Sequence, residues 1–546
     1  MRVKSDYSIK RTESRKYPSL ADMPFGPLTA VLDLVEHRRW SVENACAHLP
    51  APGDGPKPIL GEFVRPLHEG LLTWTLHAAR AYLAALDEDQ RKDGRQRTPV
   101  FDPWVRQYLP GDAPGLIRPY EVCAWGRRYT FSDGDETIRE LRIPVLGSLE
   151  RRRRDRAKTA VEAFVLATGT NVDRDVLDAN PRPYRGGVPF PMRRTDAAPT
   201  MVDRPPQRVR IVEVSCLDSS VSAPLFEGGV AEAEEYYAAE GRSALRAAVR
   251  GDALVPGSDC LSCKMIRECE RLPHADGLFL SPSRSRPRRS WSVTSGRYFR
   301  DCPAKAHFRD LRLPTENSVE NPVAVRQGRA VHAWLERLHA RSPHRPCTVG
   351  DLPKDPDAWS AGDWDLEGEE ARQATAMLAG HIEVCPFRDV SPTTRARVEQ
   401  ILTAHDREAD VLALAKADLL YQRDGSWVYR ELKTSSTGSA GSGRWLLANH
   451  PQLALAVLFF SHKVIPLGEG SAVELETLTP NGPDLRVIDP HSASDKARAR
   501  EVIHDLSARW HEDDMFTPTP GKKVCGRCSY RRWCPSADLS QETRDQ

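Results

Sequence analysis

The sequence predicts an α/β protein built from two related modules. Three observations lead to this prediction: a repeated cysteine motif, strand-like stretches at matching distances before it, and a repeated charged strand. The motif C-x2-C-x5-C occurs at Cys260, Cys263 and Cys269 and again at Cys525, Cys528 and Cys534. Self-similarity along a chain is the sequence signature of a repeated structural unit.

The strand-like stretches show the apolar or alternating pattern of buried strands. They are RVRIVEVSCL at 208–217 and SAVELETL at 471–478, and Ile211 and Glu476 within them each precede the first cysteine of their triplet by 49 residues. The charged strand follows a polar, glycine-containing turn, as Arg-Glu-Leu-Arg in FSDGDETIRELRIPVL and as Arg-Glu-Leu-Lys in YQRDGSWVYRELKTSS. These matches indicate two related modules.

A Ser/Pro/Arg-rich segment separates the two halves. Residues 281–290, SPSRSRPRRS, cannot build a core and have the composition of a linker. We place the boundary near residue 283, which gives modules at 1–283 and 284–546. The Pro/Arg-rich stretch at 180–208 is interpreted as a loop inserted in the first module.

The overall composition gives no sign of a chain-wide surface for nucleic acid. The 546 residues carry 78 Lys+Arg against 76 Asp+Glu, a net charge of +2, so long-range steering of a polyanion would be weak. The longest apolar run, Leu453 to Phe460, is far shorter than the roughly 20 residues of a membrane-spanning helix. The charged N-terminus shows no secretory signal, and we expect a cytoplasmic protein without membrane contact.

The second half contains a candidate metal site on a predicted β-hairpin. VLALAKADLLYQRDGSWVYRELKTSS is an apolar run, a turn at Asp424-Gly425 and a second strand. Asp418 lies on the first strand, and Glu431 and Lys433 project from one face of the second because they are two residues apart. Carboxylates of this kind bind divalent metals, and a nearby ammonium can orient or help deprotonate a metal-bound water. The pattern suits metal-assisted hydrolysis of a phosphodiester; the alternative is an exposed charge pair on a half-polar strand.

Further motifs surround this hairpin. SVTSGRYFRDCPAKAHF at 292–308 contains Cys302, GRAVHAWLERL at 328–338 contains His332, HPQLALAVLFF contains Gln452, and C-x2-C-x5-C-P follows near the C-terminus. In this order the motifs resemble those of the PD-(D/E)XK nuclease superfamily, specifically its RecB-like branch with a cysteine-ligated iron-sulfur cluster, as in AddB-type and CRISPR-associated nucleases. The resemblance covers the second half almost end to end. With the repeat, it implies tandem restriction-endonuclease-like modules, each a central mixed sheet flanked by helices and closed by a cysteine cluster. Ala415 and Ala456 depart from the glycine and the aromatic residue that are usual in the family.

The resemblance implies a role for each matching residue. Gln452 would help to hold the active site or the DNA strand, and Lys433 would position the attacking water. The ligands of Mg²⁺ or Mn²⁺ would be His332, Asp418, Glu431 and the carbonyl of Leu432. Taken alone, His332 would more often be an ordinary surface or core histidine.

The cysteines form a second candidate centre. Four thiolates suit zinc or an iron-sulfur cluster equally well, and the resemblance implies a [4Fe-4S] cluster on Cys302 with the triplet Cys525, Cys528 and Cys534. Such a cluster would close a loop of 223 residues between Cys302 and Cys525. The alternative is a set of reduced cysteines packed as small hydrophobes. The six cysteines outside the triplets are scattered singly: Cys46, Cys123, Cys216, Cys302, Cys347 and Cys385.

The first module keeps the cysteine framework but lacks the catalytic set. Glu140 corresponds to Glu431, yet Arg142 stands in place of Lys433 and Arg127 in place of Asp418, and arginine does not give up its proton to assist a water. We interpret this module as a degenerate nuclease-like domain that binds DNA or guides a strand, with an ordinary scaffold as the alternative.

Two groups of residues in the first module extend this interpretation. The triplet Cys260, Cys263 and Cys269 would bind a second cluster or zinc with Cys46 as the fourth ligand, or with Cys123 or Cys216 instead. Arginines at 151–154 and 284–289 would contact phosphates, although a charge run is usually a solvated surface.

The sequence thus predicts a metal-dependent DNA nuclease of repair, recombination or anti-phage defence. A nuclease-dead, iron-sulfur-stabilised DNA-end-binding or assembly subunit is the main alternative, and a zinc-bound interaction protein is a third. The sequence contains no G-x-x-x-x-G-K-[ST] phosphate loop, so a helicase or other ATPase would have to be a partner chain.

Overall fold

The computed structural model of the chain describes most of its residues. The described ranges are 2–5, 24–59, 62–108, 120–150, 152, 154–173, 176, 204–250, 254–263, 265–284, 286–315, 323–388, 390–391, 394–435 and 445–537. The stretch interpreted as an inserted loop, 180–208, lies outside these residues up to position 203.

Strands and helices are mixed throughout the first half. The strands are β1 Arg2–Ser5, β2 Lys57–Ile59, β3 Glu62–Val64, β4 Thr98–Pro99, β5 Trp104–Tyr108, β6 Tyr120–Cys123, β7 Arg127–Asp133, β8 Glu136–Val145, β9 Thr170–Asn171, β10 Arg208–Ser215 and β11 Phe226–Gly229. The helices are α1 Phe25–Arg38, α2 Val42–Ala47, α3 Glu69–Asp93, α4 Arg156–Thr168, α5 Val230–Tyr236 and α6 Arg242–Arg250.

The second half has the same mixed character. Its strands are β12 Arg289–Trp291, β13 Ala358–Ala361, β14 Trp364–Glu367, β15 Ala396–Asp406, β16 Val411–Arg423, β17 Ser426–Thr434, β18 Ala472–Thr479 and β19 Gly482–Ile488. Its helices are α7 Val293–Asp301, α8 Pro303–Asp310, α9 Val323–His339, α10 Gly368–Glu383, α11 Leu446–Asn449, α12 Pro451–Ser461, α13 Ala493–Glu512 and α14 Lys522–Cys525. The α/β class is confirmed, and β10 and β18 are the two strands expected before the cysteine triplets.

Each half contains a mixed sheet with a similar run of strands. In the first half the order β7-β8-β10-β11 joins an antiparallel hairpin, a parallel pair and an antiparallel edge strand. In the second half β16-β17-β18-β19 has the same order and the same directions. A helix lies between the parallel strands in each case, α4 in the first half and α12 in the second. This likeness supports two related modules, but the division at residue 283 stays a prediction.

Helices cover both faces of the second sheet. On one face α12 is buried on all sides, as its sequence PQLALAVLFFS requires, and it packs with α13 in the largest apolar core. On the other face α9 and α10 enclose a smaller core that includes Leu432 and Leu478. The sheet therefore lies between two helical layers, and residues of β17 point alternately towards each.

The two halves pack together around Cys302 and the C-terminal cysteine triplet. Helices α1, α2 and α3 share one apolar core with Cys302, Phe308 and Trp533. Gly70 near the start of α3 is required there, because a Cβ atom would lie 2.3 Å from the Phe308 ring and 2.8 Å from the Trp533 carbonyl oxygen.

Residues just before the predicted boundary also contribute to the second half. Ala275, Leu278 and Phe279 belong to the same apolar core as Trp291 and α12. Among the described residues, no helix is long and apolar enough to cross a lipid bilayer.

Candidate active site

The candidate site lies where two strands of the second sheet separate. The hairpin of β16 and β17 turns at Asp424 and Gly425, whose φ angles of +50° and +80° suit a two-residue turn. The strands pair from Arg423 and Ser426 back to Leu419 and Arg430. Further along β16, β12 pairs with Val411–Ala413 instead. Asp418 is thus the first residue beyond the paired part of the hairpin.

Asp418 bridges the point of separation. Its Oδ2 atom accepts a hydrogen bond of 2.7 Å from the backbone N–H of Leu432. A side-chain oxygen therefore takes the place of the backbone carbonyl that would accept this bond in a continued ladder. Its Oδ1 atom lies 3.6 Å from Nδ1 of His332 on α9. The structure therefore brings His332, Asp418 and Leu432 together, and their role as metal ligands with Glu431 stays a prediction.

Glu431 and Lys433 lie on the opposite edge of this opening. Lys433 Nζ donates to Glu431 Oε1 at 2.6 Å, and the Tyr429 hydroxyl donates to Glu431 Oε2 at 2.9 Å. Two donors therefore hold the carboxylate of Glu431. The residue is only 4% exposed, so this carboxylate is largely removed from bulk water. The expected placement of Glu431 and Lys433 on one face of β17 is confirmed.

Glu399 is a site residue that the sequence reasoning missed. One oxygen of Glu399, one of Asp418 and one nitrogen of His332 all lie within 4.8 Å of one another. Glu399 has a left-handed φ of +53° within β15, a conformation that side chains other than glycine adopt at a cost, and its carboxylate contacts Lys416. The short pattern ARVEQ contains nothing that distinguishes this glutamate from an exposed strand residue.

The charges of the site are strongly coupled. Burial raises the pKa of Glu431, against the opposing effect of Lys433. Burial also acts to raise the pKa of Asp418, but the contact with His332 and the charge of Lys433 lower it overall. The pKa of Lys433 is raised, because the carboxylates of Glu431 and Asp418 outweigh the effect of burial. The charges of Asp418, Glu431 and Lys433 therefore depend on one another.

A cavity of about 480 Å³ opens beside Glu431. Its lining includes Tyr429, Gln452, Lys416, Arg309 and Asp310. The Gln452 Oε1 atom is buried and has no hydrogen-bond partner among the described residues. The predicted Gln452 is therefore at the site, with an acceptor free for a ligand, and Ala415 lines the same cavity.

Cys302 and the C-terminal cysteine triplet line a second cavity. Cys302, at the junction of α7 and α8, meets Cys525, Cys528 and Cys534 there, and the Thr519 N–H donates to Cys302 Sγ at 3.4 Å. In the part of the chain that the structure describes, no three of these four sulfurs lie within 4.8 Å of one another.

The first-module cysteines are placed differently. Cys46 on α2 packs against the core that α1 and α3 form, whereas Cys260 and Cys269 pack beside Ile266, Leu272 and Leu412 in another core. Cys263 is exposed. A second cluster or a zinc ion on these residues stays a prediction.

Glu140 has surroundings unlike those of Glu431. Its side chain is fully buried and pairs with Arg97 at 3.0 Å, with Arg142 at 3.1 Å and with Arg210. Burial acts to raise the pKa of Glu140, but the three guanidinium groups lower it overall. In the hairpin, Tyr129 and not Arg127 lies opposite Glu140. The equivalent of Asp418 is therefore position 129 and not position 127, and neither residue is acidic.

The arginines considered for phosphate contact are bound within the chain. Arg152 and Arg154 pair with Glu213 at 2.7 and 2.9 Å, and Arg151 and Arg153 lie outside the described residues. Between the halves, Arg288 pairs with Asp410 at 2.6 Å, and the arginines at 284, 286 and 289 contact Asp514 or backbone carbonyls at the end of α13. These contacts tie the segment to the second sheet and do not favour a role in DNA binding.

Cys347 and Cys385, which the sequence leaves isolated, lie together. With His339 and His381 they form a buried group of potential metal ligands. In the sequence, each pair appears only as a histidine near the end of a helix with a cysteine a few residues later. This pattern is a weak signal of a metal site, because only the fold brings the two pairs together.

Residues 290–535 match the model of the PD-(D/E)XK nuclease superfamily. The matched segment holds the second sheet and the site described above. Members of the superfamily are typically metal-dependent nucleases. No curated protein matches the chain.

Proposed function

We propose that the protein is a metal-dependent nuclease that hydrolyses phosphodiester bonds in DNA, with its active centre at the opening between β16 and β17. The observation that carries the proposal is the convergence of Asp418, Glu431, Lys433 and His332 at the point where the hairpin separates. The match of residues 290–535 to a nuclease superfamily supports the same reaction class.

The donor set fits a hard divalent cation. Asp418 and Glu431 offer carboxylate oxygens, as Mg²⁺ and Mn²⁺ prefer, and His332 and the Leu432 carbonyl complete the proposed set. Glu399 is a further candidate, since its carboxylate lies within 4.8 Å of the donor atoms of His332 and Asp418. When bound, the metal would polarise the scissile phosphate and lower the pKa of a water molecule.

The side chains around the metal ligands have separate tasks. Lys433 remains charged beside Glu431, so it orients the attacking water by hydrogen bonding and offsets negative charge on the phosphate. The buried, unpaired Oε1 of Gln452 accepts a hydrogen bond from the bound strand or from a water that orders it. The adjoining cavity receives the nucleic acid next to Glu431.

We further propose that Cys302, Cys525, Cys528 and Cys534 hold a [4Fe-4S] cluster. All four line one cavity, and a backbone N–H donates to Cys302 Sγ. The resemblance of the motifs to the iron-sulfur branch favours a cluster over zinc. The cluster would join α8 to the C-terminal segment against α1 and α3. Iron and sulfide analysis of anaerobically purified protein should give about four of each per chain, and a zinc-only preparation would contradict the assignment.

The first half is proposed to be a degenerate module of the same kind. The shared strand order supports a common origin, and the buried pairing of Glu140 with three arginines leaves no place for a metal on that carboxylate. The resemblance of the motifs to RecB-like nucleases supports a role in DNA repair, recombination or anti-phage defence in the cytoplasm. A helicase or other ATPase would then act as a partner chain.

The direct test is cleavage of labelled single-stranded and double-stranded DNA by anaerobically purified protein with Mg²⁺ or Mn²⁺. The wild type and the exposed control Lys463→Ala should cleave, and EDTA should stop both. Lys433→Ala should lose about 10²–10⁴-fold in rate, the range typical for a group that assists proton transfer. Cleavage by Lys433→Ala at the wild-type rate would contradict the proposed site.

A further inference from the structure

A second group of potential metal ligands lies inside the nuclease domain, apart from the proposed active site and from the C-terminal cysteines. It consists of His339, Cys347, His381 and Cys385, all of which are buried. One donor atom of each lies within 4.8 Å of every other. The Nε2 atoms of the two histidines are 3.1 Å apart, and both rings are within hydrogen-bonding reach of the Cys385 sulfur.

The ends of two packed helices bring these residues together. His339 is the last residue of α9, and Cys347 follows it in the next loop. His381 lies in the last turn of α10, and Cys385 comes two residues after that helix ends. Each helix end therefore supplies one imidazole and one thiol.

The distances and the chemistry of the donors fit zinc. In a tetrahedral site with Zn–S bonds of about 2.3 Å and Zn–N bonds of about 2.0–2.1 Å, neighbouring ligands lie about 3.3–3.8 Å apart. Two thiolates would neutralise Zn²⁺, so a buried site would carry no net charge. The Cys347 N–H donates to Cys385 Sγ at 3.3 Å, a contact that stabilises a thiolate.

The groups around the site orient the ligands. Nδ1 of His381 lies 2.5 Å from Glu476 Oε1, which leaves Nε2 facing the other three donors. Arg430 donates to the second oxygen of Glu476 at 3.0 Å, so that carboxylate is itself fixed and balanced. A carboxylate on the far nitrogen of a ligating histidine is a common feature of protein metal sites.

We propose that His339, Cys347, His381 and Cys385 bind a structural zinc ion that holds the ends of α9 and α10 against β17 and β18. The inference goes beyond the proposed nuclease function and does not depend on it. His332 and His339 are seven residues apart on α9 and lie on the same face of the helix. The zinc ion would therefore fix the helix that presents His332 to Asp418.

The first test is metal analysis of the full-length protein expressed in zinc-supplemented medium. Wild type and the control Ser507→Ala, which alters a buried side chain of α13, should each carry this zinc ion, about one per chain. Cys385→Ala should lose the zinc while keeping the iron content of the wild type. A zinc-free wild type, an unchanged zinc content in Cys385→Ala, or a Cys347–Cys385 disulfide in mass spectra would each overturn the proposal.

A variant that keeps four ligands guards against a loss of folding. Cobalt-loaded wild type should show the visible bands of a tetrahedral ion and a near-ultraviolet thiolate-to-cobalt charge-transfer band. In His339→Cys the number of thiolates rises from two to three, and the charge-transfer band should gain intensity in proportion. An unchanged cobalt spectrum in folded His339→Cys would also overturn the proposal.

Discussion

The hairpins β7–β8 and β16–β17 occupy equivalent places in the two sheets but differ in how far they close. In the first half Arg127–Asp133 pairs with Glu136–Arg142 without interruption. In the second half the strands pair only as far as Leu419 and Arg430, and Asp418, Glu431 and Lys433 lie at the opening beyond. An opening between paired strands provides the space for a metal and a phosphate that a closed hairpin lacks.

The carboxylates on the two hairpins differ accordingly. Glu140 is surrounded by Arg97, Arg142 and Arg210 within a closed interior. Glu431 has one lysine and one tyrosine as partners and borders a cavity. The comparison teaches that the same Arg-Glu-Leu sequence can serve an internal ion network or a reactive site, depending on the residues that face it.

The largest expected difference between the hairpins concerns catalysis. Glu431→Gln should lower the rate of metal-dependent DNA cleavage by about 10²–10³-fold or more, because a metal ligand and the partner of Lys433 are lost together. Initial rates on labelled DNA at saturating Mn²⁺ measure the effect, with the exposed Glu469→Gln as the control. An equal loss of cleavage rate in Glu431→Gln and Glu469→Gln would contradict the proposed role of Glu431.

The next difference concerns stability and has the opposite pattern. Glu140→Gln should lower the free energy of unfolding by about 3 kcal/mol, because it removes the buried carboxylate that three arginines share. Each of these arginines keeps one other acidic partner, so the cost lies at the lower end of the range for a broken buried ion pair. Glu431→Gln should cost less, since burial already disfavours the charged form of that side chain. Urea unfolding of both variants measures this; a smaller cost for Glu140→Gln than for Glu431→Gln would contradict the account.

Glu399, on the strand β15 that pairs with the active hairpin, should have a smaller effect. Glu399→Gln removes a charge next to Asp418 but leaves Asp418, Glu431 and Lys433 in place, so cleavage should fall by about 10–100-fold at limiting metal. Raising the Mn²⁺ concentration should recover part of the rate. No change in the metal concentration required for half-maximal cleavage would show that Glu399 has no part in metal binding.

The smallest effect is a pH dependence of the closed hairpin. The pKa of Glu140 is lowered in the folded protein, so its ion pairs add stability above the ordinary glutamate value of 4.5, and this contribution declines as the pH falls below it. The difference in stability between wild type and Glu140→Gln should therefore stay constant from pH 7 to about pH 5 and narrow as the pH falls below 4.5. A difference that grows on acidification would contradict the assigned sign.

The sequence predicts the parts of the site that rest on local pattern. The turn at Asp424-Gly425, the shared face of Glu431 and Lys433 and the strands before each cysteine triplet follow from periodicity and turn chemistry. Glu399 could not be found in this way, because it reaches the site through the pairing of β15 with β16 and a left-handed backbone. His339, Cys347, His381 and Cys385 were missed for a similar reason: only the packing of α9 on α10 brings them together.

The arginine segments show a different limit of the sequence. Phosphate contact is one reading of them beside a solvated surface, and in the structure Arg154, Arg286 and Arg288 pair with acidic residues of the same chain. Charge runs carry no information about the partner they will meet after folding. The chain-wide charge of +2 therefore averages over internal ion pairs and a locally acidic site.

An anomalous difference map from a crystal of the full-length protein soaked in Mn²⁺ tests the central claim most directly. The account predicts a peak between Asp418, Glu431 and His332 and none beside Glu140. A peak beside Glu140, or an empty opening between β16 and β17 at saturating Mn²⁺, would contradict it.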